Sequence, residues 1–154
     1  YSGKTGGDGI MACINTYEFD TGKQNVILST TVGAKAMTIK TILGKFNLSQ
    51  NCMIIVPKSE EYLTSYFAYC FSIIFQLERV LIPNYIKPSF RKEDFLRIKI
   101  PVPPLKEQED IVKFLQKEIN KIDTLIALSS KFILTLNDKR NALIYLATNK
   151  GIVS

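Results

Sequence analysis

The sequence contains no histidine, so it lacks the commonest general base of enzymes and the imidazole ligands of most zinc sites. It has only three cysteines, Cys13, Cys52 and Cys70, and no CxxC pair among them. An odd number of widely spaced cysteines is typical of reduced packing residues in a cytoplasmic protein. No apolar run approaches the roughly 18 residues that span a bilayer. These absences argue against an enzyme and a membrane protein, and we expect no catalytic residue, metal or cofactor.

The composition that remains is that of a globular chain with a basic excess. Its 154 residues, 46% of them hydrophobic, are enough for one domain with a core, with or without an appendage. Lys and Arg number 20 against 14 Asp and Glu, which gives a net charge of +6. Such an excess favours a polyanionic partner.

Glycine and proline divide the chain into two parts. They punctuate its first two thirds but are absent from 105 to 148. Between the parts lies Pro101-Val102-Pro103-Pro104, which predicts a stiff, extended segment that ends one element and precedes a helix. We therefore predict a domain over 1–104 and a helical region over 105–154.

The first part is predicted to be α+β, with a mixed small β-sheet and one packed helix. Apolar residues from Tyr62 to Leu77 recur at helical spacing, and Ser59 is the expected cap, with Glu60 and Glu61 in the first turn. Short runs rich in Val, Ile, Met, Phe and Thr predict strands at Ile10–Asn15, Val26–Thr31, Met37–Ile42, Cys52–Val56 and Phe95–Ile100.

The second part is predicted to be a long helix that forms a coiled coil. Ten positions follow one another at alternating intervals of four and three, which is the period of a coiled-coil seam. Eight are apolar, and Ser129 and Arg140 are the exceptions. Ser129-Ser130 is compatible with a kink, a register device or a break into two helices. From Lys106 to Ala147 the helix would be about 60 Å long, so it needs a partner helix. The predicted pairing residues are Leu115, Ile119, Ile122, Ile126, Ile133, Leu136 and Leu143.

Two patterns that could indicate catalysis do not have the required context. Gly3-Lys4-Thr5 matches the end of a phosphate-binding loop, but three glycines and a predicted strand follow it instead of a helix. We interpret this stretch as a flexible basic loop that approaches DNA. The carboxylates have no spacing typical of a nuclease metal site, so a solvated surface is the simpler interpretation.

Basic and amide side chains in and beside the loops of the first part predict a DNA-binding surface. Lysine and arginine suit phosphate contacts, while hydroxyls and amides suit base edges. For any single residue, a solubilising role is as good an explanation, so the prediction depends on the cluster. The predicted DNA-binding residues are Lys4, Thr5, Thr31, Lys35, Lys40, Lys45, Asn47, Ser49, Gln50, Lys87, Ser89 and Arg91.

Several segments together resemble the specificity (S) subunit of Type I restriction-modification systems. The most specific is 98–112, IKIPVPPLKEQEDIV, which is similar to the family's strand, Pro-Pro-Leu, Glu-Gln and helix-start signature. Segments 121–126 and 136–144 resemble the family's spacer helix. Upstream, 1–6, 44–52 and the helix over 63–77 resemble elements of its target-recognition domain.

The resemblance implies that the chain selects the DNA target for partner subunits and does not itself catalyse a reaction. Family members read a split DNA sequence, one half with each recognition domain, while antiparallel spacer helices set the distance between the halves. They bind modification (M) subunits, which carry S-adenosylmethionine chemistry, and restriction (R) subunits, which carry nuclease and motor activity.

The chain departs from the family pattern in two respects. It has one recognition domain and one spacer where a full member has two of each, and the usual start of the recognition domain is expected to precede Tyr1. A lone copy could restore the two-fold arrangement by forming a homodimer through its helix, which predicts a palindromic split target.

Two other functions remain as alternatives. A coiled-coil adaptor with a non-specific basic head would show no DNA sequence preference. A nuclease or methyltransferase in its own right would turn over without partners.

Overall fold

The computed structural model describes residues 15–33, 36–83, 85, 86 and 88–150, the side chain of Lys150 excepted. The chain divides into two compact units after Val112. The predicted domain boundary at 104/105 lies eight residues earlier and remains a prediction. The elements are β1 (Phe19–Asp20), β2 (Val26–Thr30), β3 (Ile39–Ile42), β4 (Lys45–Phe46), β5 (Cys52–Ile55), α1 (Thr64–Val80), α2 (Lys92–Phe95) and α3 (Leu105–Lys150).

These elements confirm the predicted α+β class with a long C-terminal helix. The described strands form two small antiparallel sheets, whereas one mixed sheet was expected. One sheet has the order β3-β2-β5, and the other pairs β1 with β4. All five residues of β2 are buried, because apolar side chains pack on both faces of this central strand.

The two faces of β2 contribute to two separate cores. Ile27 packs with Phe71 and Phe75 of α1, whereas Val26 and Leu28 belong to a cluster that β1 and β4 cover. Burying a side chain of this size stabilises the fold by about 1.5–3 kcal/mol. The three-stranded sheet is therefore held between α1 on one face and the β1–β4 pair on the other.

Two local predictions are wrong. Phe95–Ile100 is not a strand. The backbone N–H of Arg91 donates to the Asp94 carboxylate at 2.9 Å and a turn of helix follows, which is half of a capping box. In addition, Ser59 does not cap α1. The helix begins after Leu63, and its first turn has no acidic residue.

Other predicted elements agree with the structure or lie where it gives no description. Strands β2, β3 and β5 fall within their predicted ranges, while Ile10–Asn15 lies outside the described residues except for Asn15. The strands β1 and β4 were missed because two residues are too few to show a periodicity.

Helix α3 is continuous over 46 residues. It passes through Ser129 and Ser130 without a break, and the Ser130 hydroxyl donates to the Ile126 carbonyl at 2.9 Å. Serine is accommodated here because its hydroxyl donates a hydrogen bond to a carbonyl of the preceding helical turn. None of the helices described is both long and apolar enough to cross a membrane.

Candidate nucleic-acid interface

Three chain segments meet at the C-terminal end of β2. The N–H of Thr31 donates to the carbonyl of Asn51 at 2.8 Å, and the carbonyl of Thr31 accepts the N–H of Phe90 at 2.8 Å. Val32 forms an isolated antiparallel bridge with Ser89. Thr31 therefore joins the turn before β5 and the segment before α2 to the loop that leaves β2.

A groove of about 600 Å³ opens beside this junction. Met53, Phe95 and Leu96 contribute apolar surface to it. Its polar lining consists of Thr31, Ser89, Arg91 and Lys92. Two cations and two hydroxyls on one groove can bind phosphate oxygens and the acceptors of base edges.

The cations of the groove are carried on a well-anchored segment. Phe90, immediately before Arg91, is 4% exposed, and its ring centroid lies 4.7 Å from that of Phe75. On its other side, Arg91 begins α2 through the bond to Asp94. The backbone at Arg91 is thus fixed by the core, while its side chain is exposed, as a contact residue requires.

Two further predicted DNA-binding residues lie close to the same junction. Ser49 and Gln50 belong to a turn that the N–H of Cys52 closes onto the Ser49 carbonyl at 3.0 Å. The next residue is Asn51, which accepts the bond from Thr31. The structure therefore brings together Thr31, Ser89 and Arg91 on the groove, and Ser49 and Gln50 lie in the adjoining turn.

The remaining described candidates lie elsewhere. Lys40 lies in β3, opposite Leu28 of β2 in the sheet. Lys45 lies 3.9 Å from the Asp20 carboxylate and 4.5 Å from the Tyr17 ring centroid. Asn47 accepts a bond from the N–H of Glu18 and donates to the Thr16 carbonyl at 3.3 Å. This amide holds the segment before β1, and a DNA contact by it remains a prediction. Lys4, Thr5, Lys35 and Lys87 lie outside the described residues.

The predicted pairing residues of α3 form an apolar face that Ser129 and Arg140 interrupt. Leu115 and Ile119 are half-buried. Five further exposed residues, which the seam pattern did not include, flank it one position before seam residues: Phe114, Leu125, Leu128, Phe132 and Leu146. A stripe of this width suits packing against more than one neighbouring helix. The exposed seam residues are Ile122, Ile126, Ile133, Leu136 and Leu143.

Gln108 was predicted only as part of the Glu-Gln signature of segment 98–112, and the structure shows that its side chain links two segments of the first unit. Its side chain is 1% exposed. Its Oε1 accepts the N–H of Leu63 at 2.9 Å, and its Nε2 donates to the carbonyls of Glu61 at 2.9 Å and Pro103 at 2.8 Å. Gln108 thereby ties the first turn of α3 to the segment that leads into α1. The available signal was a glutamine four residues before the buried Val112, where helical spacing calls for an apolar side chain.

Tyr66 makes a second contact near the start of α1. Its hydroxyl donates to the Pro101 carbonyl at 3.2 Å. Burial, followed by a hydrogen bond with Cys70, raises the pKa of Tyr66 above its ordinary value. The neutral phenol is the form that this site favours.

Across the residues that the structure describes, no group of three or more Cys, Asp or Glu side chains could hold a metal ion.

Comparisons with known proteins agree on one family. The family model described as Type I restriction modification DNA specificity domain matches residues 2–131. Two Mycoplasma pneumoniae proteins named as type I specificity subunits are similar. S.MpnORF507P is 26% identical over 129 residues, and S.MpnORF285P is 31% identical over 117 residues. The matched residues are 80% and 75% of this chain, respectively.

A solved structure supports the fold. The structure, described as the basis of complex assembly and conformational transition of the type I R-M system, contains a similar chain with a TM-score of 0.68 at 15% identity. The match covers 86% of this chain and 34% of that one. The chain likewise spans only about a third of the curated relatives, 32% and 36% of their lengths.

Proposed function

The chain belongs to the Type I restriction modification DNA specificity domain family, and we propose that it directs modification and restriction subunits to one half of a split DNA target. In this role the first unit reads the DNA and α3 supplies the contact between protein chains. The chain contributes no catalytic residue, and its partners carry the methyltransferase and nuclease activities.

The observation that carries this proposal is the groove at the C-terminal end of β2. Its polar lining combines the cations Arg91 and Lys92 with the hydroxyls of Thr31 and Ser89. Phosphate contacts position a protein on the duplex, and contacts with base edges select the sequence. One groove that offers both kinds of group suits both tasks. The chain's excess of six positive charges adds attraction to any stretch of DNA.

The exposed face of α3 supports the proposed assembly with other chains. Ile122, Ile126 and Ile133 are each more than half exposed, as are the flanking residues Leu125 and Phe132. Water contact with so many neighbouring apolar side chains is unfavourable, so the face is suited to burial against helices. We propose that these helices come from a second specificity segment, including a second copy of this chain, and from the modification subunit.

Selection from a pool of randomised DNA duplexes tests this function. The purified chain is used alone and with its modification subunit, each at two salt concentrations. We expect a defined half-site to be enriched and to persist at the higher salt, because base contacts are less sensitive to salt than phosphate contacts. Two half-sites at one fixed spacing would further indicate paired helices that set the distance.

The adaptor alternative predicts a different outcome of the same selection. Binding would then be weak, would disappear at the higher salt and would enrich no sequence, even with the modification subunit present. That result would reject the proposed role of the chain in selecting the DNA target.

A further inference from the structure

Arg79, in the last turn of α1, is half-buried, and one nitrogen of its guanidinium is the one buried side-chain polar atom without a hydrogen-bond partner among the described residues. Its Nη1 atom is shielded from solvent and contacts no acceptor there. A buried cationic donor without an acceptor is costly, since it has lost its water and gained no replacement. Binding of an anion by the guanidinium would offset this cost.

A cavity of about 280 Å³ adjoins this guanidinium. Ser72, Gln76 and Thr38 line it together with Arg79 and add hydroxyl and amide groups. No carboxylate lines the cavity. The Ser72 hydroxyl already donates to the Tyr69 carbonyl at 2.7 Å. The cavity therefore offers the Arg79 guanidinium and the Gln76 amide as donors to an oxyanion such as a phosphate.

The backbone beside the cavity is strained. Met37, which lines it, has φ of 64°, a left-handed conformation that residues other than glycine seldom adopt. The N–H of Met37 donates to the Thr30 carbonyl at 2.7 Å, so the hairpin between β2 and β3 holds it there. Strained backbone is concentrated at binding sites, where a rigid surround maintains it.

Residues from the two ends of this hairpin line the groove described above and the cavity. Its first residues, including Thr31, line the groove with Arg91, and its last residues, including Met37, line the cavity with Arg79. Cationic side chains thus line both sites.

We propose that Arg79 binds a DNA backbone phosphate in this cavity and so fixes the register of the duplex on the recognition unit. The proposal rests on the proposed function, because it names a phosphate of the same DNA as the ligand. A purely structural alternative is that Arg79 stabilises the C-terminal end of α1, where a cation is favourable.

The test compares the wild type with Arg79→Met and Arg79→Gln. Lys23→Gln is the control, since it removes one positive charge from the turn before β2, at the opposite end of that strand. Affinity is measured over a series of salt concentrations, with the selected duplex and with a scrambled one. We expect both Arg79 variants to weaken binding to both duplexes about 3–10-fold and to reduce the slope of log affinity against log salt by about 0.9, as loss of one phosphate contact does. Lys23→Gln should retain the wild-type slope.

Melting of the free protein separates the two roles of Arg79. We expect Arg79→Met to melt at or above the wild-type temperature, because it removes a buried unpaired charge and keeps an apolar stem. A lower melting temperature for Arg79→Met with an unchanged salt slope would show that Arg79 is structural and would overturn the proposal.

Inorganic phosphate provides a readout that does not depend on sequence recognition. At equal ionic strength, phosphate should raise the melting temperature of the wild type and of Lys23→Gln more than that of either Arg79 variant. An equal rise in all four proteins would contradict the cavity as an anion site. An Arg79-dependent rise in a protein that selects no DNA sequence would reject the proposed function and leave the anion site standing.

Discussion

At the scale of single residues, Gln108 explains why a polar side chain occupies a core position at the start of α3. Its three hydrogen bonds satisfy the Leu63 N–H and two carbonyls in a site that is closed to water. Gln108→Ala would leave all three groups without this partner. We expect a loss of about 2–4 kcal/mol in the free energy of unfolding, measured by urea denaturation.

Gln116→Ala is the matched control for Gln108, because it changes the same residue type in the same helix at an exposed position. It should alter the free energy of unfolding by less than about 0.5 kcal/mol. Equal effects of the two substitutions would show that the buried hydrogen bonds contribute nothing specific.

Tyr66 predicts how stability depends on alkaline pH. Burial raises the pKa of Tyr66 in the folded protein, so the unfolded chain releases this proton at a lower pH than the folded one. The contribution of the neutral Tyr66 side chain to stability is complete below the ordinary pKa of tyrosine. It is lost as pH rises through the pKa of Tyr66 in the folded protein. Tyr66→Phe should therefore cost about 1 kcal/mol at pH 8, through the lost bond to Pro101, and lose less additional stability than the wild type above pH 10.

Tyr85→Phe is the control for Tyr66, since Tyr85 is 88% exposed. The free energy of unfolding of the Tyr85→Phe variant should change with pH as that of the wild type does. A Tyr66→Phe profile parallel to that of the wild type between pH 8 and pH 11 would rule out this account of Tyr66.

At the scale of elements, α3 offers a direct test of its pairing face. Ile133 lies on the predicted seam, and Leu134 lies beside it but off the seam, with similar exposures of 58% and 65%. We expect Ile133→Asp to abolish association through the helix, because it places a charge in the apolar contact. Sedimentation of the chain, alone and with the modification subunit, measures this association.

Leu134→Asp should sediment as the wild type does. If both substitutions weaken association equally, or neither does, then the heptad seam is not the contact surface.

The elements also show how far the sequence could be read. The buried strand β2 and the two long helices were predictable, because their apolar patterns extend over five residues or more. The region around α2 was not, since its apolar residues suggested a strand while the local bond from Arg91 to Asp94 favoured a turn of helix. The candidate groove was anticipated only in part. Thr31, Ser89 and Arg91 were named from residue type, but their meeting depends on pairing between segments nearly 60 positions apart.

Arg79 is a second case in which contacts between distant segments could not be predicted from the sequence. In an amphipathic helix, an arginine after Glu78 is typical of a solvated face, and no sequence pattern marks it as buried. The cavity that it lines is formed by α1 together with the end of the β2–β3 hairpin, and these segments meet only after folding. Side chains whose environment comes from distant segments are the ones that sequence patterns miss.

At the scale of the whole molecule, the proposed function assigns recognition and assembly to different parts of one chain. Residues up to Val112 form a unit with its own core and groove, and the residues that follow continue α3 with an exposed apolar face. This division explains how a chain without histidine or a metal-binding cluster among its described residues could control a reaction. It would decide where partner enzymes act.

The most direct test of this central claim is the position of methyl groups on DNA. A library that contains the selected half-site and its scrambled counterpart is incubated with the modification subunit and S-adenosylmethionine, with and without the chain, and methylated positions are read by sequencing. We predict methylation next to the selected half-site only when the chain is present, and loss of that preference with Arg91→Gln. Methylation at the same positions without the chain, or equally at scrambled sites with it, would contradict the account.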